Sequence, residues 1–315
     1  MEKFQKRKNT NMLVFGLTNK VTVSLQISKN KQDLKGEVVS LKSLATYYNV
    51  GETFINVRLQ LYESCIVNSL LYNMEAWTKQ SKGELKRLEK IQASILCSLV
   101  DLPKSTPYIG ILNELGIWRI EEKLIYRKLM LYNNIMNSDD RRLSKRIILE
   151  QEETEDLNGS FFGTVLEMAK KIGVTIEQLK LTKKASLKNL LKTKLNERMA
   201  KVAYLNIAGM TKLRFLTKPI KSIIRKDYIV KLKGSEATQA LRSRLNMIPI
   251  YDNYHNNITL RRLCPHCEVE DDTTEHLVSC KVFHSTITEA NLREEMNNET
   301  WKQTLEIINF NLEHR

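Results

Sequence analysis

The chain has 315 residues, 42% of them apolar, and its 50 Lys/Arg against 36 Asp/Glu leave a formal net charge of +14. This apolar content excludes a broadly disordered polymer and suffices for one large core or two modest ones. No apolar run is long enough to span a bilayer, which argues against a membrane partner. No secretory signal opens the chain and the five cysteines are an odd count, which points to an intracellular protein, nuclear or cytoplasmic and not secreted, without a disulfide framework.

Residues 1–35 are polar and basic, with one alternating stretch, VTVSLQI, that fits a short strand; the segment reads as a loosely ordered lead-in. From 36 to 150 the pattern is that of a helical bundle. FINVRLQLYESCIVNSLLYNMEAW is apolar on most sides, as in a central packed helix. SKGELKRLEKIQASILCSLV follows, with Ser81 and Glu84 in capping-box spacing and apolar residues at 85, 88, 91, 95 and 99. DLPKSTP interrupts it. Ser105 or Thr106 with Pro107 is expected to start the next helix and Gly116 to end it. IEEKLIYRKLMLYNNIM and RRLSKRIILEQEE continue the helical run, and Cys65 and Cys97 read as small core residues.

Acidic EQEETEDLNGS (150–160) suggests an exposed turn, with a linker at 151–160. Residues 161–260 then form a basic helical region, opening with a helical hairpin stopped at Gly173. Within it, residues 181–233 hold fifteen Lys/Arg and two acids, a net +13, so the rest of the chain sums to only +1. Charge alternates there with Leu, Ile and Val, as on a helix with one buried and one cationic face. So lopsided a balance favours RNA and/or DNA as partner, with Lys183, Lys184, Lys188, Lys192, Lys194, Arg198, Lys201, Arg225 and Lys226 on backbone phosphates.

CPHCEVEDDTTEHLVSC closes the pattern within a segment spanning 261–284. Its spacing, Cys264-x2-Cys267-x8-His276-x3-Cys280, supplies the three thiolates and one imidazole of a closed tetrahedral zinc shell. Cys264 and Cys267 form a chelating turn with Pro265 between them; His276 and Cys280 share a helix face, and Thr273 or Thr274 caps that helix. A full shell leaves no position for activated water, so the zinc is expected to be structural, with His266 pointing outward. The segment from 264 to 280 carries five acids and no Lys or Arg. It should repel phosphate and brace protein instead, leaving the flanking Arg261, Arg262 and Lys281 to face nucleic acid. The tail, 285–315, reads as helical.

No phosphate-cradling glycine loop or nucleophile elbow is present, and Asp139-Asp140 reads as a solvated helix end, so no active site is expected.

Several stretches in order, VRLQLYESCIVNSLLYNMEAW, LEKIQASIL, LPKSTPYIGILNELGIW, IYRKLMLYNNIMNSDDRR, LRSRLNMIPIYDNY and the cysteine-histidine segment, resemble the C-terminal part of reverse transcriptases from non-LTR (LINE-type) retrotransposons. The resemblance runs from about Val57 to Cys280 and implies a thumb-like bundle, a post-thumb region and a C-terminal zinc knuckle on Cys264, Cys267, His276 and Cys280. The family polymerises from palm-domain aspartates in an aromatic-x-Asp-Asp turn, which has no counterpart here. The expected fold is therefore mostly α: a helical bundle, a basic helical region and a small zinc-knuckle segment. The expected function is that of a non-catalytic remnant of an RNA-directed DNA polymerase that binds nucleic acid. Pairing with a reverse-transcriptase palm domain encoded elsewhere, or membership of a longer active polymerase, is the alternative.

Overall fold

The computed structural model describes residues 55–77, 81–154, 157–216, 220–248, 250, 263–280, 282 and 298–313. The expected lead-in and strand, together with Arg261, Arg262 and Lys281, lie outside them. Among the described residues the fold is all-α, and an isolated antiparallel bridge between Leu263 and Asp271 is the only β pairing.

The helix expected over the first apolar stretch forms with a π turn inside it: α1 (Ile55–Leu61), the turn (Tyr62–Ile66) and α2 (Val67–Leu70). Ile55, Leu59, Tyr62, Ile66 and Leu70 face the core, while Glu63, Ser64 and Cys65 bulge outward. Cys65 is thus exposed rather than a core residue, because the inserted residue rotates it off the apolar face; Cys97 is buried as expected. α3 (Lys82–Leu99) begins in the predicted capping box between Ser81 and Glu84. Its buried Gln92 donates to the Tyr62 hydroxyl at 2.9 Å and accepts from the Tyr108 hydroxyl, which locks the π turn to the next helix.

That helix, α4 (Tyr108–Leu115), starts one residue later than expected. Pro107 is its extended N-cap, and Thr106 bonds back to Pro103 instead of capping. Gly116 ends it in the left-handed conformation at φ 65°. α5 (Ile120–Met136) and α6 (Leu143–Glu152) follow. Gln151 and Glu152, placed in the expected linker, lie within α6. Glu152 accepts from the Tyr132 hydroxyl and pairs with Lys180, and Gln151 accepts from the Phe162 amide. α7 (Phe161–Ile172) and α8 (Ile176–Leu181) make a hairpin. The Gly173 and Val174 amides return to the Lys170 and Ala169 carbonyls, and Thr175 caps α8.

The long helix α9 (Lys184–Ile207) buries Leu187, Leu191, Leu195, Met199, Ala203 and Ile207. These recur every four residues, not every 3.6, so the apolar stripe winds around the helix. The first three sit in a core with α5, α7 and α8; the last three belong to a second core with α1, α3, α4 and the later helices. One helix thereby joins both cores. A short 3-10 segment (Thr211–Leu216), α10 (Asp227–Lys231) and α11 (Gly234–Arg244) close the second core. α12 (Thr274–Ser279) carries His276, whereas Cys280, expected on the same helix face, is the extended residue that ends the helix; α13 (Asn298–Glu313) places Trp301 and Leu305 in the second core beside α10–α12. The expected helical tail is observed over this range.

Candidate metal centre and cationic face

The metal-ligating candidates converge. Cys264, Cys267, His276 and Cys280 each present one ligand atom, and these atoms all lie within 4.8 Å of one another, so the cluster can hold a metal ion. Local sequence explains the convergence. The Cys264 carbonyl accepts from the Glu268 amide at 2.9 Å, and Glu268 turns left-handed at φ 53°. The Cys264 amide then donates to the Glu270 carbonyl at 2.7 Å, which folds the loop back under the two thiols. Thr273 caps α12 by accepting from the His276 amide at 3.1 Å, and the helix points His276 at the loop.

His276 is buried with Nε2 3.2 Å from the Cys267 sulfur. Its Nδ1 faces the Glu270 carboxylate at 3.0 Å. A carboxylate on the far nitrogen fixes the tautomer that leaves Nε2 free for a metal. The thiols differ in environment. Backbone hydrogen bonds from Glu270 and then Val269 draw Cys267 down to about 7, and burial pushes Cys280 up to about 11. Glu270 was visible in the sequence only as one of five acids; its position six residues before the histidine gains meaning from the turn that folds it back.

The centre is tied to the helical body. Thr274 donates to the buried Asn246 at 2.5 Å, and Glu275 forms a two-point ion pair with Arg214, one leg at 2.7 Å. At least one acid of this segment therefore neutralises a cation of the basic region.

The predicted phosphate contacts separate into groups. Lys183, Lys184, Lys188, Lys192 and Lys201 are exposed along α9, and Lys194 pairs with Glu197 at 3.5 Å. Arg198 turns inward to Glu121 and to Glu122, whose side chain is 0% exposed and is also held by Arg119 at 2.9 Å. Arg225 donates to the Leu115 carbonyl at 3.2 Å and to Asn56. Lys226 is half-buried, its amide donating to the Glu114 carbonyl at 3.3 Å. Arg198 and Arg225 therefore drop out of the phosphate-facing set: sequence shows their charge but not the carboxylates and carbonyls folded against them. α9 is held in place by the same contacts and by Trp118, whose indole N–H donates to Asn196 at 2.7 Å.

Asp139 and Asp140 do not converge. Asp139 accepts from the Arg141 amide at 2.8 Å, and Asp140, 91% exposed, pairs with Lys145. Among the described residues no helix is long and apolar enough to cross a membrane. Set against protein-family models, curated proteins and solved structures, the chain matches none of them.

Proposed function

We propose that this chain is a non-catalytic, nucleic-acid-binding module of reverse-transcriptase-like origin, braced by a structural zinc on Cys264, Cys267, His276 and Cys280. The exposed lysine row of α9 carries the binding reading, since it stands on a helix whose other faces are fixed to two cores. The donor set supports zinc: bonds of about 2.3 Å in a tetrahedron put ligand atoms about 3.8 Å apart, compatible with this cluster. Bound there, zinc would join the turn to α12 and offer no open position for water. An intracellular setting would keep the three thiols reduced. RNA and DNA both present the phosphate backbone that the lysines would contact. Titration of the chain with labelled nucleic acid at two salt concentrations tests the reading. Affinity should fall steeply with salt; insensitivity to salt, or no binding at low salt, would refute it.

A second reading, an interaction module that pairs with a palm domain on another polypeptide, draws on a different observation. Val57, Leu61 and Cys65 lie at four-residue spacing along α1 and the π turn and are all exposed, and Tyr72 just beyond is 70% exposed. Sedimentation of the chain beside a V57E/L61E variant tests it. Self-association abolished by the variant supports a sticky interaction face, and monomers in both count against it.

A further inference from the structure

The nucleic-acid reading leaves open the form of the ligand, and the α8–α9 surface bears on that form. From Gln178 to Asn196 the sequence holds six lysines and neither an acid nor an aromatic residue. Lys180 is paired with Glu152 and Lys194 with Glu197. Lys183, Lys184, Lys188 and Lys192 remain exposed, interspersed with exposed Ser186, Asn189 and Thr193.

Proteins that grip single strands combine such charge with exposed rings on which bases stack. This face lacks them. Trp118 and Tyr126 pack edge-to-face against each other at 5.9 Å and are half-buried. Tyr204, the exposed ring on α9, stands twelve residues beyond Lys192, about 18 Å along the axis. Lys184 to Lys192 spans about 12 Å of helix, close to the major-groove width of B-form DNA of about 12 Å. The opposite side of α9 is buried against α5 and α7, so the helix can lie across a groove but cannot sink into it.

We propose, resting on the nucleic-acid reading, that the Lys183–Lys192 face takes double-helical nucleic acid in preference to single strands, bridging two phosphate rails across a groove. Four lysine contacts set the salt response. Between 50 and 200 mM salt, duplex affinity should fall about 150-fold and single-strand affinity about 50-fold.

The test is fluorescence anisotropy of the full chain with a 20-base-pair DNA duplex and with one of its strands, beside two variants of equal charge change. K184A/K188A/K192A removes the row; K82A/K86A/K90A removes three exposed lysines of α3. The duplex should bind about tenfold tighter at 50 mM salt. The α9 variant should lose that preference, its duplex affinity then changing only about 3-fold over the salt range, and the α3 variant should keep it. A single strand bound as tightly or more tightly overturns the duplex assignment and leaves the nucleic-acid reading standing. Equal losses in the two variants overturn the assignment to α9. Failure of the unmodified chain to bind either probe at 50 mM overturns the underlying reading itself.

Discussion

Glu270 does for the proposed metal centre what none of the other acids around it does: it occupies Nδ1 of His276 and leaves Nε2 to the thiols. E270A should therefore weaken metal binding by about 10- to 100-fold, read by competition with a chelator of known affinity. Glu268 is exposed and makes the turn with its backbone, so E268K should leave metal affinity unchanged and nucleic-acid affinity equal or higher. The four clustered residues were legible in the sequence as candidate ligands because cysteine and histidine are scarce there and their spacing is short. Glu270 was not, since its role arises from a fold-back that only the Cys264–Glu270 backbone bond creates. Arg198 and Arg225 illustrate the converse: a guanidinium looks the same in sequence whether it faces water, a buried carboxylate or a backbone carbonyl.

Among the elements, two helix ends make a controlled comparison. Gly116 and Gly173 both stop their helices in the left-handed conformation, at φ 65° and 68°. A Cβ at Gly173 would meet nothing within 4 Å, whereas one at Gly116 would lie 2.1 Å from the Arg225 amide nitrogen. G173A should cost about 1 to 2 kcal/mol, the strain of the conformation alone. G116A should cost clearly more, because the strand of backbone carrying Arg225 must move as well; denaturant unfolding of both variants gives the difference. Glycine punctuation and the Ser81 capping box were readable, since each is a local rule. The winding stripe of α9 and the π turn were not. Both answer to packing partners distant in sequence, and the same stripe reads as one ordinary amphipathic face until two cores are seen to share it.

Across the whole molecule, the second core is cross-linked by a buried charge. Glu114 on α4 is held by Arg244 of α11 at 3.1 Å and by the Tyr228 hydroxyl of α10 at 2.7 Å. Burial raises the Glu114 carboxyl, but Arg244 and the hydrogen bonds outweigh it and hold the group below its ordinary value. A carboxyl depressed in the folded state contributes stability above its unfolded pKa and loses it as pH falls through the lower folded value, so this contribution should fade below about pH 4. E114Q should flatten that acid limb of the stability profile, and E114A, which removes the buried carboxylate that Arg244 and Tyr228 both bond, should cost about 3 to 5 kcal/mol. The all-α class was legible from periodicity. That the knuckle docks on the basic region, through Glu275–Arg214 and Thr274–Asn246, required the fold. The bracing role proposed for that docked clip requires a bound metal. Metal analysis of the purified chain, paired with C280S, measures this directly: one zinc per chain, lost in C280S, is the predicted result, whereas a folded chain without stoichiometric zinc, or equal zinc in C280S, would contradict it.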